Sequence, residues 1–174
     1  MAVDPKKMTV EELKTLIANH REKNATNEPL YLEALAELSR KGGKGLNFDT
    51  TKAVVLEAAR ENRFLSYKEV ADASGVEWSK VHYAMGPHLC DLVEYAHLRG
   101  WPLLSAIVVN KPNVATGQMA DSSLKGFIAA ARAVRISVTD ERAFLRAEQQ
   151  RVFAWAKVQE PEESENFPDR RPTR

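Results

Sequence analysis

One stretch of twenty residues, from Ser66 to Met85, constrains the fold more than any other part of the sequence. It consists of SYKEVADASGVEWSKVHYAM. Ser66 and Glu69 have the spacing of a capping box, in which each side chain accepts a hydrogen bond from the backbone N–H of the other. Leu65 and Val70 stand where a hydrophobic staple would fix the direction in which the chain enters a helix. The segment therefore predicts a helix that begins at about Ser66.

Small and apolar residues after this start predict a tight turn and a second helix. Ala71 is small enough to let two helices approach each other, and Gly75 permits the left-handed backbone that the turn needs. Val76, Val81 and Ala84 have the spacing to bury one side of the second helix. This spacing resembles that of a helix-turn-helix, a motif whose second helix enters the major groove in DNA-binding proteins and which is also used for protein contacts.

The positions of the second helix that face outward are candidates for contact with nucleic acid, because several can hydrogen-bond or stack on bases. They are Glu77, Trp78, Ser79, Lys80, His82 and Tyr83. We expect Asn110, Lys111 and Asn113 to lie on an adjacent wing or loop. Between Arg60 and Lys111, six Lys or Arg are balanced by six Asp or Glu. The local charge therefore gives no separate support for phosphate binding.

Three segments resemble the DNA-binding domain of the O6-alkylguanine-DNA alkyltransferases and the alkyltransferase-like proteins, over about a third of the chain. They are Phe64 to Ala71 (FLSYKEVA), Val81 to Gly86 (VHYAMG) and Trp101 to Lys111 (WPLLSAIVVNK). The resemblance implies a winged-helix-like scaffold for binding duplex DNA. It also implies that Tyr67, at the start of the first helix, contacts a backbone phosphate.

The chain departs from that family at the residues that carry its chemistry. The family's active-site run of proline, cysteine, histidine and arginine aligns with Val108, Val109, Asn110 and Lys111. The nucleophile is therefore absent, and alkyl transfer is excluded. The family's intercalating arginine aligns near Ser79 and is also missing.

Periodic apolar residues elsewhere predict a mainly helical protein. We expect helices over 10–23, from Pro29 to about 39, 53–62, 89–98, 122–134 and 140–158, with short strands over 103–110 and 135–139. The expected fold is mainly α with a short β-hairpin or small sheet. A helix-turn-helix, winged-helix-like core would follow an N-terminal helical hairpin.

Composition divides the chain into four parts. Three glycines in the four positions from Gly42 to Gly45 predict a linker, because glycine is costly inside a helix. We expect an N-terminal helical hairpin over 1–39, the Gly-rich linker over 40–46 and the winged-helix-like domain over 47–158. Residues 159–174 are rich in charge and proline and have no apolar period, which predicts a disordered tail.

Other chemistry has weaker support. Cys90 follows His88 by two residues on an apolar helix, where a lone cysteine is usually a small buried hydrophobe. The histidines lack the spacing of a metal site. The run from Gly42 to Gly45 lacks the strand and the Lys-Ser/Thr ending of a phosphate-binding loop. We therefore expect no metal site and no cofactor.

The sequence also limits where such a protein would work. Its longest apolar runs are far shorter than the roughly 20 residues of a membrane helix, and its first residues lack the apolar core of a signal peptide. A single cysteine excludes an internal disulfide framework. We therefore expect a cytoplasmic protein with no membrane segment.

The function that these observations favour is non-enzymatic binding of duplex DNA through the helix-turn-helix from Ser66 to Met85 and the adjacent wing or loop. The first alternative is a protein-interaction adaptor that holds a protein partner with the same helix pair. The second is an enzyme whose site the sequence does not identify.

Overall fold

The structure is a computed structural model that describes residues 2–42 and 45–159. Within these residues the chain forms seven α-helices and one two-stranded sheet. The helices are α1 (Val10–Glu22), α2 (Pro29–Gly42), α3 (Phe48–Arg60), α4 (Tyr67–Ala73), α5 (Trp78–Leu98), α6 (Asp121–Ala133) and α7 (Glu141–Val158). The strands are β1 (Leu65–Ser66) and β2 (Val108–Val109), and short 3-10 turns lie at Pro5–Lys7, Leu104–Ile107 and Lys111–Asn113. The prediction of a mainly α fold with a small sheet is therefore confirmed.

Helices α1 and α2 pack against each other around an apolar cluster of their own. A capping box starts α1, since the Thr9 N–H donates to Glu12 Oε2 at 2.7 Å and the Glu12 N–H donates to Thr9 Oγ1 at 3.2 Å. Helix α2 continues to Gly42, beyond the hairpin boundary expected at residue 39. Ion pairs of Arg40 and Lys41 with Glu37, one turn earlier, stabilise this extra turn.

Parts of two predicted segments lie outside the described residues. These are residues 43 and 44 of the Gly-rich linker and residues 160–174 of the predicted tail. Leu46, near the end of the linker, is fully buried in the main core. The end of the linker is therefore part of the packed structure.

The main core surrounds the segment 103–109, in which every residue is buried. Helices α3, α5 and α7 each pack against the 3-10 turn Leu104–Ile107 within it. The sequence predicted a strand over 103–110, but only Val108 and Val109 are extended and paired. Across the described residues, no helix is both long and apolar enough to span a membrane.

The sheet is parallel, with Leu65 opposite Val108 and Ser66 opposite Val109. Parallel strands need a long crossover connection, and here α4 and α5 form it. Of the two predicted possibilities, the small sheet is correct and the hairpin is wrong. The strand predicted over 135–139 is also wrong, because Arg135 adopts a left-handed backbone with φ +68° and the chain turns there.

Helix α5 is one continuous helix of 21 residues, although a break was expected between the helix-turn-helix and a separate helix over 89–98. Pro87 lies inside it and lacks the N–H that would bond to the carbonyl four residues earlier, at a cost of about 3 kcal/mol. Buried residues continue on both sides of this proline, at Val81, Met85, Leu92 and Val93. Their burial offsets the cost and keeps the helix intact.

Candidate nucleic-acid interface

The helix pair α4 and α5 begins with the predicted capping box. The Ser66 N–H donates to Glu69 Oε2 at 2.6 Å, and the Glu69 N–H donates to Ser66 Oγ at 3.1 Å. Gly75 has the left-handed backbone expected of the turn, with φ +73°. Ala71 and Val81 are buried where the two helices meet the core. The local signals that predicted the helix pair are therefore present as contacts.

The turn between α4 and α5 is also attached to the end of the linker. The backbone N–H of Asn47 donates to Ser74 Oγ at 3.0 Å. Gly45, with φ +98°, lies so close to Val76 that a Cβ at Gly45 would come within 2.5 Å of Val76 Cγ1. These contacts hold the turn against the start of α3.

The first turns of α5 carry four of the predicted contact residues on the protein surface. Ser79, Lys80, His82 and Tyr83 are exposed, and Tyr83 is the most exposed aromatic residue described, at 57%. Lys80 Nζ lies 3.6 Å from Glu77, an ion pair between two exposed side chains. Such surface pairs contribute little to stability, so Lys80 can exchange Glu77 for another anion at low cost.

Trp78 departs from the outward orientation that the sequence predicted. Its ring is half-buried and stacks on Tyr67, with 6.0 Å between the ring centroids and 12° between the planes. His82 lies edge-on to Trp78, with 6.1 Å between the ring centroids. Burial raises the pKa of Tyr67, and a hydrogen bond with Ser123 acts in the opposite direction. Tyr67 is therefore a neutral phenol at physiological pH, with its hydroxyl near the start of α6.

A cleft of about 310 Å³ opens between this aromatic pair and α6, and we call it the α5–α6 cleft. Four of the predicted contact residues line it: Tyr67, Trp78, His82 and Asn110. The other five predicted residues do not line the cleft: Ser79, Lys80, Tyr83, Lys111 and Asn113. The predicted set therefore divides between the outer face of α5, the cleft and the loop after β2.

The loop after β2 forms one edge of the cleft. Asn110 is half-buried, and its Oδ1 accepts a hydrogen bond from the Ala120 N–H at 3.1 Å. Lys111 is exposed, and Asn113 is half-buried in the 3-10 turn that begins at Lys111. These residues thus lie on a loop next to the helix pair, the second of the two positions predicted for them.

The cleft combines apolar walls with a few hydroxyl and amide groups. Residues that the sequence did not single out supply much of its lining, among them Ser105, Met119, Ser122, Ser123, Gly126 and Phe127. Its volume is at the lower end of the range for small-ligand pockets, and aromatic walls favour a flat ring. Because these residues come from separate elements, no short motif marks them. The adjacent pair Ser122 and Ser123, followed by the apolar residues of α6, was the available signal.

Cys90 is exposed on α5 and lines the cleft, so the expectation of a buried hydrophobe is wrong. Desolvation raises the pKa of its thiol, and the carboxylates of Asp91 and Glu94 raise it further. A thiol with a raised pKa is a weak nucleophile at neutral pH. Over residues 2–42 and 45–159, no three His, Cys, Asp or Glu side chains are grouped so that they could hold a metal ion.

The resemblance to the alkyltransferase DNA-binding domain rests on the residues quoted above and stays a prediction. No protein-family model matches the chain, and no curated protein or solved structure matches it either.

Proposed function

We propose that the protein binds duplex DNA without an enzymatic step, through α4, α5 and the loop after β2. The observation that carries the proposal is the exposed row of Ser79, Lys80, His82 and Tyr83 on the first turns of α5, directly after a capped helix and a tight turn. A helix presented in this way fits the major groove, where its first residues contact base edges.

Exposed lysines near this row would bind phosphates. Lys80 pairs with Glu77 at 3.6 Å, and Lys68 pairs with Asp72 at 2.8 Å, both on the protein surface. Exchange of such a carboxylate for a DNA phosphate costs little and releases counterions from the DNA. Lys111, exposed on the loop after β2, would supply a further phosphate contact.

The α5–α6 cleft supports an extension of the proposal. His82 belongs both to the exposed row and to the lining of the cleft, and the Tyr67 and Trp78 rings form a stacking wall there. Proteins that hold an unstacked base do so by stacking it on aromatic side chains and bonding its edge. A base displaced from the duplex would fit the cleft, and a duplex with a mismatched or unpaired base would then bind more tightly than a matched one.

A fluorescence anisotropy titration with labelled duplex DNA at several salt concentrations tests the proposal. We expect Lys80→Ala and Lys111→Ala each to weaken binding and to reduce the slope of log affinity against log salt by about 1. Lys14→Ala is the matched control, because Lys14 on α1 makes a comparable exposed ion pair with Glu11 at 3.3 Å. Absence of binding by the unchanged protein at low salt would contradict the proposal.

A protein-interaction adaptor is the second candidate, and the charge pairing favours it. Lys68 and Lys80 are each neutralised by a neighbouring carboxylate, and Tyr83 exposes an aromatic ring on α5. A neutral surface with an exposed tyrosine is typical of protein contacts. A stoichiometric protein partner released by Tyr83→Ala, together with no response to nucleic acid, would support this candidate over DNA binding.

A further inference from the structure

We propose that Gln149 of α7 is a positioning residue for the loop after β2, a role that rests on the DNA-binding function proposed above. Gln149 is 5% exposed and lies on α7, which packs against the 3-10 turn Leu104–Ile107. Its side-chain Nε2 donates to the carbonyl of Ala106 at 2.9 Å and to the carbonyl of Gly117 at 2.7 Å. One amide group therefore joins two points of the chain.

The segment between these two points carries the loop residues of the proposed interface. Ala106 precedes β2, and Gly117 follows the 3-10 turn that begins at Lys111. The Gly117 N–H donates to the carbonyl of Asn113 at 2.8 Å, which closes the end of the turn. By holding both ends of this segment, Gln149 sets where Asn110 and Lys111 lie relative to α5.

A glutamine is chemically specific for this task. Two backbone carbonyls that approach the same buried point each need a donor, and a neutral amide NH2 supplies two. Methionine has a similar length but no donor, so it would leave both carbonyls without this partner. A carboxylate would bring negative charge against two oxygens. The adjacent Gln150 is exposed on the same helix and offers a matched control for the substitution itself.

Other side chains of α7 make core contacts that do not involve the Gln149 amide. Glu148 accepts a hydrogen bond from the Leu103 N–H at 2.8 Å, before the segment begins. Phe153 packs edge-on against Phe64, with 5.2 Å between the ring centroids, and the Phe64 ring lies against Gly117. Because these contacts do not involve Gln149, we expect the fold to persist when Gln149 is changed while the carbonyls of Ala106 and Gly117 lose their shared donor.

A double-mutant cycle in DNA affinity separates positioning from a general structural role. We expect Gln149→Met to weaken DNA binding and to remove most of the effect of a second change, Lys111→Ala, with a coupling of roughly 2- to 150-fold. Gln150→Met should have no effect. If Lys111→Ala weakens DNA binding by the same factor in the Gln149→Met protein as in the unchanged protein, the inference is overturned. Should Gln149→Met fail to fold, Gln149→Asn keeps the amide with a shorter reach and replaces it in the cycle.

Hydrogen exchange in the free protein gives a readout that does not depend on DNA. Gln149→Met should speed amide exchange within 110–117 and leave α4 and α5 as protected as before. Unchanged exchange in 110–117, or a uniform rise across the protein, would overturn the inference. If the unchanged protein binds no DNA at low salt, the proposed function fails, and the exchange result still decides whether Gln149 positions the loop.

Discussion

The ring of Trp78 stacks almost parallel to that of Tyr67, at 12°. Tyr67 is the first residue of α4 and Trp78 is the first residue of α5, so the stack joins the starts of both helices across the turn. The same two rings line the α5–α6 cleft. A single contact therefore stabilises the helix pair and shapes the pocket behind it.

Tyr67→Phe separates the phenol hydroxyl from the stack. We expect the variant to keep the stacked ring and to lose only the hydrogen bond with Ser123, with a stability change of about 1 kcal/mol or less. If the hydroxyl contacts a phosphate, DNA affinity falls in Tyr67→Phe but not in Ser123→Ala, which loses the same internal bond. Titration of both variants with one duplex measures this, and equal affinities would rule out the phosphate contact.

Gly117→Ala should strongly destabilise the protein. Gly117 has φ +76°, and a Cβ there would overlap the ring of Phe64. The strained backbone and the overlap together cost roughly 3 kcal/mol or more. Gly75→Ala is the control, since Gly75 has φ +73° but nothing within 4 Å of an added Cβ, and backbone strain alone costs about 1 kcal/mol. Chemical denaturation measures the free energy of unfolding of both variants. Equal losses of stability would show that Phe64 moves aside freely.

His88 should make stability depend on pH below neutrality. It is buried, its Nε2 lies 2.7 Å from Thr51 Oγ1, and desolvation lowers its pKa from 6.5 to about 4. As the pH falls, the unfolded chain therefore takes up a proton before the folded protein does. Stability falls between about pH 6.5 and pH 4, by about 3 kcal/mol in all, and this group causes no further change below that.

His88→Gln is the test of this pH dependence, because glutamine does not titrate and still offers Thr51 a hydrogen-bond partner. The free energy of unfolding should depend less on pH in the variant than in the unchanged protein across this window. Carboxylates contribute to both proteins and cancel in the difference. Identical slopes would show that His88 does not cause the dependence.

Tyr31→Phe should loosen the attachment of α1 and α2 to α5. The Tyr31 hydroxyl donates to Glu94 on α5, and Arg21 on α1 donates to Tyr31 at 2.9 Å and to Glu94 at 2.7 Å. Loss of the buried hydroxyl removes the central group of this network, at about 1 to 2 kcal/mol. Hydrogen exchange should rise in α1 and α2 more than in α3 and α7. A uniform rise would mean that the two apolar clusters unfold together.

Features that depend on contacts between residues close together in the chain were predicted correctly from the sequence. The capping box at Ser66 and the left-handed Gly75 depend on neighbours within a few residues, and both are correct. Trp78 was predicted to face outward because helical periodicity says nothing about the ring of Tyr67 that covers it. A separate helix was predicted over 89–98, but burial on both sides of Pro87 by distant parts of the chain makes one continuous helix.

The cleft and the sheet depend on long-range contacts throughout. Pairing of Leu65 with Val108 requires the whole of α4 and α5 to fold back, and no local pattern distinguishes this parallel arrangement from a hairpin. The α6 side of the cleft, including Ser123 and Phe127, meets Tyr67 only in the folded protein. This is why four predicted site residues meet in a pocket that the sequence did not predict.

The parallel pair of β1 and β2 also bears on the order in which the protein folds. Helices form from local contacts in microseconds or less, whereas a parallel pairing must first close the chain between its strands. The segment between β1 and β2 contains α4 and α5. The helix pair can therefore form before the two strands pair. We therefore expect substitutions in Val108 and Val109 to act mainly on the unfolding rate, and those at Ser66 and Glu69 to slow folding.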